Sequence, residues 1–284
     1  MRTLVIGRGN LGLDIAGQYG VEAQEYRPFL FDHSTSSSHL QSRLEGYELV
    51  FLCNGGFSIK ESAQSVTTAR EHLMTSAMRV REKMHPEAKL VCFSSNYAAH
   101  PALSAYAQIQ YDKEQALMNF DPVLPTLIVR VANLYGNHFP LKGLPGKLML
   151  QRGRQLTLPQ NEISPTPTHW VAECMHELIS DDLGSHPRVV SLYPADAVPV
   201  YQFARRIGVP CQQGDWDINW PLHQADWSVG CEEILGRSWT GLWSRYGNAH
   251  MRGVGLAIQE SEASARASTP RPRTFGSQTS PRVV

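Results

Sequence analysis

The sequence predicts an α/β protein: a doubly wound parallel sheet with helices on both faces and a smaller C-terminal lobe. Three observations predict it. Apolar runs recur at 3–7 (TLVIG), 47–54 (YELVFLCN), 89–95 (KLVCFSS) and 126–133 (TLIVRVAN), and unbroken runs of that length suit strands buried on both faces. The stretches between them, 10–19, 60–84 and 104–120, carry helical spacing and strong helix formers. The first run breaks at once into Gly7, Gly9 and Gly12 and continues as LDIAGQYG, the order strand, tight turn, helix.

Taken in chain order, TLVIG is the first strand and the segment from Asn10 the first helix. A second strand is expected within EAQEYRPF at 22–29, with a weaker pattern. YELVFLCN, KLVCFSS and TLIVRVAN are the following strands, each separated by a helix, which is the alternation that builds a parallel sheet. After Asn133 the texture changes to glycine, proline and short elements through 168. WVAECMHELI then reads as a helix, RVVSLYP as a strand, and VYQFARRIG as a helix ended by Gly208. The expected organisation is a dinucleotide-binding core of Rossmann type over 1–135, a substrate-binding lobe over 136–248 interleaved with it, and a disordered tail over 249–284. The tail is expected because the end of the chain is poor in apolar residues and carries four arginines and no acid after Glu262. Such a segment buries too little surface to offset its ordering entropy. It is either a solvated tail or a basic contact for a partner.

Bulk properties narrow the function. Lysine and arginine (26) balance aspartate and glutamate (26), so no long-range field recruits nucleic acid or a membrane surface. No run approaches the ~20 apolar residues of a membrane span, and the apolar start is too short for a secretory leader. Five cysteines without a C-x-x-C pair fit a reducing compartment, with Cys53 and Cys92 as small core residues. The expected location is cytoplasmic.

The turn Gly7-Arg8-Gly9-Asn10-Leu11-Gly12 is the first candidate site. The first glycine permits the turn, the second lets backbone approach a pyrophosphate, and the third lets helix and strand pack closely. The helix start supplies N–H donors and the positive end of its dipole. A turn that only turns is the alternative. Arg27 stands where an acid usually follows the second strand and, helped by Arg8, suits the 2′-phosphate of NADP(H) over NAD(H); otherwise it is a solvated surface residue. Asp32 in FLFDHS is a second candidate, as a ribose carboxylate or at the adenine edge.

A second constellation runs from VCFSSNY through AYAQIQYDKE to RVANLYG. Here the chain resembles the extended short-chain dehydrogenase/reductases, in particular the dTDP-4-dehydrorhamnose reductase branch, over about residues 1–246. VIGRGNLG matches the glycine turn, FLFDHS the Asp near adenine, and FLCNGG the strand end beside the cofactor, with Cys53, Asn54 and Gly55. FSSNY matches the segment of the catalytic Ser/Thr, AYAQIQYDKE the Y-x-x-x-K helix, and SPTPTHWVAECM a later P-T segment leading into a helix. RVVSLYPADAVPVYQFA and PLHQADWSVGCEEILG match the C-terminal lobe.

The resemblance implies that Ser95 hydrogen-bonds a substrate carbonyl and that Tyr106 gives or takes the proton while hydride passes between nicotinamide and a sugar carbon. Asn133 would join the cofactor-binding and substrate-binding residues, unless it only caps its strand. The family places a lysine four residues after the tyrosine to stabilise tyrosinate and grip the ribose. This chain has Gln110 there, which keeps a hydrogen-bonding arm and loses the charge. Lys113 lies seven residues after Tyr106, about 10 Å along the helix axis and too far to replace the missing ammonium, and the loop between Ser95 and Tyr106 is short for the family.

Three functions follow from the resemblance: an NAD(P)-dependent reductase of a keto-sugar, nucleotide-linked as in the family; a sugar epimerase using the same residues; or a catalytically silent NADP-binding regulator. The expected partner is a small-molecule substrate, with a homodimer left open. His169, Glu173 and His176 share a helical face and could suggest zinc, but no fourth ligand stands at a telling spacing, so they read as a solvated or packing face and no metal is expected. Trp216, Trp220, Trp227, Trp239 and Trp243 read mainly as lobe core.

Overall fold

A computed structural model describes residues 1–25, 37–55, 58–121, 123–180, 186–192, 194, 196–214, 233–235 and 239–268. Five strands follow one another in the first half: β1 (Thr3–Ile6), β2 (Ala23–Gln24), β3 (Leu49–Leu52), β4 (Lys89–Ser95) and β5 (Thr126–Val131). Between them lie α1 (Asn10–Tyr19), α2 (Ser37–Leu44), then α3 (Ile59–Gln64), α4 (Val66–Arg70) and α5 (Ser76–Lys83), and after β4 the long α6 (Ala105–Met118). A single wide π-turn, Glu71–Thr75, joins α4 to α5.

The C-terminal half begins with β6 (Leu134–Tyr135), α7 (Leu144–Met149), β7 (Leu156–Leu158), β8 (Glu162–Ile163) and β9 (Thr166–Pro167). It continues with α8 (Thr168–Ser180), β10 (Arg188–Leu192), β11 (Val198–Pro199), α9 (Val200–Arg206), β12 (Cys211–Gln213), β13 (Glu233–Leu235), α10 (Trp239–Leu242) and α11 (Asn248–Ser268).

Among the described residues the main sheet has seven strands in the order β13-β10-β5-β4-β3-β1-β2, and every pairing in it is parallel. The chain leaves β1 for β2 on one side and returns to β3 on the other. The carboxyl ends of β1 and β3 therefore flank a topological switch point, the crevice where open α/β sheets take ligands. Two strands from the second half, β10 and β13, complete the sheet, so the lobe and the core share chain.

Alternation along the strands divides the core in two. Val5, Phe51, Val91 and Val129 face Ile15 and Ala16 of α1 and Trp170 and Met175 of α8. Leu4, Ile6, Val50, Leu52, Cys92 and Ile128 face the other way, toward Leu44, Ala77, Val80 and Leu117. The lobe has its own core around Tyr135, Leu148, Ile163, Phe203 and Trp243. Cys92 is a small core residue, and Cys53 is half-buried against the α1 side.

The expected disordered tail needs correcting over its first part. α11 runs to Ser268, and His250, Val254 and Ile258, spaced one turn apart, are buried. A stripe of three inward residues suffices to dock a helix whose overall composition is polar. Residues 269–284 lie outside the described residues.

Candidate active site

At the glycine turn, Gly7 has φ +120°, and a Cβ there would strike the Cys53 carbonyl. A Cβ on Gly12 would strike the Gly7 carbonyl, so the start of α1 lies directly on the turn. Gly9, by contrast, faces open space. It is the N-cap of α1, and no side chain caps the helix. The turn is thus closed on its inner side at Gly7 and Gly12 and open at Gly9, beside uncapped amides. Uncapped amides beside open space could receive an anion such as a diphosphate.

The flanking side chains are mostly engaged elsewhere. Leu11 is buried in the core, so only its backbone faces a ligand. The Asn10 side-chain amide is occupied on both sides by the backbone of Phe139, which leaves its backbone to face the turn. Arg8 is exposed, 3.5 Å from Glu25. Glu25 was missed in the sequence: the structure ends β2 at Gln24, which puts this carboxylate directly after the strand. The short strand, with one buried residue, is why the pattern was too weak to locate its end. Arg27 and Asp32 lie outside the described residues.

Beyond β3, Cys53 is half-buried and burial pushes its thiol up, with Cys92 adding to the shift. Asn54 is buried, and its Nδ2 donates to the carbonyls of Leu73 (3.0 Å) and His72 (3.3 Å) in the π-turn. Asn54 therefore anchors that turn through Nδ2, while its buried Oδ1 has no hydrogen-bond partner among the described residues. Gly55 is exposed with open space around it.

At the end of β4, Ser95 is 7% exposed, and its Oγ accepts from the Tyr97 amide at 3.3 Å. Ser104 caps α6 through Ala107 N–H, which places Tyr106 in the first turn and Gln110 one turn on. The Tyr106 ring meets Tyr97 edge-on at 6.1 Å and packs against Ala69, Leu73 and Ile109. Burial raises the Tyr106 phenol above its ordinary value, while the Ser95 and Gln110 side chains pull it back. Ser95, Tyr106 and Gln110 thus come together. Gln110 is 2% exposed, and its Oε1 has no hydrogen-bond partner among the described residues.

Lys113 does not compensate for the glutamine. It is fully buried, and its Nζ donates to the Phe93 carbonyl at 2.7 Å. Burial pushes its pKa down, and Cys92 and Glu114 favour the charge. The next residue, Glu114, takes two close hydrogen bonds from buried Arg130, Nε at 3.0 Å and Nη2 at 2.6 Å, locking α6 to β5.

Asn133, with φ +43°, accepts from the Ser164 amide at 3.1 Å, and its carbonyl accepts from Thr166 N–H at 3.3 Å. It joins the end of β5 to the strands of the lobe. His169 and Glu173 belong to a surface network with Asp14, Arg245 and Tyr246, and His176 meets Tyr19 edge-on. Among the described residues, no helix is long and apolar enough to cross a membrane.

Solved structures share this fold. A dTDP-4-dehydrorhamnose reductase from Clostridium acetobutylicum superimposes with a TM-score of 0.69 at 16% identity, over 88% of this chain and 99% of that one. The dTDP-4-dehydrorhamnose reductase of Bacillus anthracis, solved in complex with NADP, gives 0.67 at 16% identity over 91% and 98%. The chain has the fold of the dTDP-4-dehydrorhamnose reductases. MoeE5, solved with UDP-glucose and NAD, is also similar, at 0.69 and 15% identity over 91% of this chain and 100% of that one. No family model matches the sequence, and no curated protein matches it.

Proposed function

We propose that the protein is an NAD(P)-dependent reductase of a nucleotide-linked keto-sugar. The observation that carries the reading is the grouping of Ser95, Tyr106 and Gln110 at the end of β4, in the same sheet whose β1–α1 turn has an open diphosphate cradle at Gly9. Gly7, Gly9 and the amides of residues 10–12 would hold the dinucleotide, and the unpartnered Gln110 Oε1 would take a ribose hydroxyl. The nicotinamide supplies the hydride when bound.

The chain's own work is on the carbonyl oxygen. Ser95 orients it and polarises it, and Tyr106 gives its proton as negative charge develops there. Among the described residues no cation lowers the Tyr106 phenol; burial instead raises it. It is therefore protonated at neutral pH, ready to act as an acid. Epimerisation or alcohol oxidation needs the tyrosinate as base, which this environment disfavours, so reduction is the better reading of the two. The absent ammonium also favours a second reading from another class, a silent dinucleotide-binding regulator.

Cofactor choice turns on two opposed features. Arg27 in the sequence, with Arg8, favours NADP(H). Glu25, directly after β2, is placed to accept the ribose hydroxyls of NAD(H) and to repel a 2′-phosphate. We assign Glu25 as the discriminating residue: Glu25→Gln should raise NADPH affinity relative to NADH about tenfold. A ratio unchanged from wild type refutes this.

The test of the function is turnover with dTDP-4-dehydrorhamnose and NADH or NADPH. Loss of nicotinamide absorbance is expected, and Tyr106→Phe should slow it by about 10²-fold or more. Tight nucleotide binding without turnover overturns the reductase in favour of the regulator.

A further inference from the structure

The segment after β6 is fastened to the nucleotide-binding helix by a clasp that crosses 129 residues of sequence. The Phe139 amide donates to Asn10 Oδ1 at 2.6 Å, and Asn10 Nδ2 donates back to the Phe139 carbonyl at 3.2 Å. The side-chain amide acts as a strand partner would, filling both hydrogen-bonding groups of one residue. One turn along α1, Asp14 repeats the attachment. Its Oδ1 lies 3.0 Å from His138 Nε2, and its Oδ2 accepts from the Thr168 hydroxyl at 2.5 Å. Thr168 Oγ1 also lies 3.2 Å from the Tyr135 carbonyl. Gly136 makes the approach feasible, because a Cβ there would strike both Thr168 and Asn10.

The clasped segment presents an unusual surface beside the glycine turn. Phe139 is 36% exposed, with the Lys142 ammonium 4.4 Å from its ring centroid. The Lys142 amide donates to the Phe139 carbonyl at 2.9 Å, which fixes the pair as a unit. An aromatic face with a cation on it suits a base and a phosphate, but only if its backbone is held in place.

We propose that Asn10 is a positioning residue for segment 136–142 and not a ligand of the dinucleotide, so that it sets where Phe139 and Lys142 border the site of the second substrate. This rests on the reading of the glycine turn as a dinucleotide cradle. The Asn10 side chain contributes to sugar-nucleotide recognition through Phe139, while the nucleotide cofactor sees only the Asn10 backbone.

The test compares wild type with Asn10→Ala and Asn10→Ser, the second keeping a polar residue suited to a helix start. Amide hydrogen exchange of a peptide spanning 136–142 should quicken on the order of tenfold in both variants, and the dissociation constants for NADH and NADPH should stay within twofold of wild type. In turnover with dTDP-4-dehydrorhamnose, the KM for the sugar nucleotide should rise about tenfold with the nicotinamide KM unchanged. Unchanged exchange overturns the proposal. So does nucleotide affinity weakened beyond threefold, which would make Asn10 a ligand after all, and so does an unmoved sugar KM. A wild type that binds neither nucleotide defeats the proposed function instead, and the exchange arm still decides whether the clasp holds the segment.

Discussion

His250 should make the fold sensitive to acid. It is 1% exposed on α11, with its ring 4.9 Å from that of Tyr135. Burial drives its pKa from 6.5 down to about 4, only partly offset by the nearby Gly136 backbone. In the unfolded chain the same histidine titrates at its ordinary value, so between these two pH values the unfolded state binds more protons than the native one. Stability is therefore complete above the unfolded pKa and declines as pH falls toward the folded one. At ~1.4 kcal/mol per pH unit, the loss is about 2–3 kcal/mol by pH ~4.5. His250→Phe keeps a ring against Tyr135 and removes the proton site. Urea unfolding at pH ~7.5 and ~4.5 should show wild type losing about 2–3 kcal/mol more than the variant. Parallel pH dependence in the two proteins would refute the claim that this imidazole is buried in its neutral form.

Three further perturbations separate the roles of neighbouring residues. Gly9→Ala meets nothing and should leave stability within ~0.5 kcal/mol, yet cut nucleotide affinity at least tenfold by calorimetry; unaltered affinity would mean the turn holds no phosphate. Gln110→Lys should lower the pH midpoint of turnover by about one unit or more through an ammonium beside Tyr106, and lower Tm because a charge enters a buried position; an unmoved midpoint would detach residue 110 from the tyrosine. Glu114→Gln takes a charged partner from the buried Arg130 guanidinium and should cost about 3–5 kcal/mol in urea unfolding, with a loss under ~1 kcal/mol contradicting a tight pair.

The strands were legible because burial on both faces leaves an unbroken apolar run, as in KLVCFSS and TLIVRVAN. The glycine turn was legible because backbone clashes at Gly7 and Gly12 exclude every larger side chain. Ser95, Tyr106 and Gln110 could be proposed because FSSNY and AYAQIQYDKE resemble the catalytic segments of the extended short-chain dehydrogenase/reductases. β2 was poorly legible: two residues on the sheet's edge carry almost no pattern, and so Glu25 went unnoticed. Composition hid α11, since three inward residues are diluted by a polar majority. The pairings Asn10 with Phe139 and Glu114 with Arg130 were beyond reach because nothing local marks a polar residue whose partner is brought to it only by the completed fold.

The wide turn at Glu71–Thr75 carries a consequence for chain length. Asn54 hangs two carbonyls of that turn on one side chain, while Leu73 within it packs against Ile109 beside Tyr106. Removing one residue there would let the turn close to a regular α-helix, because four α residues sweep nearly the same angle as five in the wide turn. Ser76, Ala77 and Val80 would keep their directions, while the His72 and Leu73 carbonyls would return to the helix ladder and leave Asn54 Nδ2 without those acceptors. The extra residue is therefore what frees two carbonyls for Asn54.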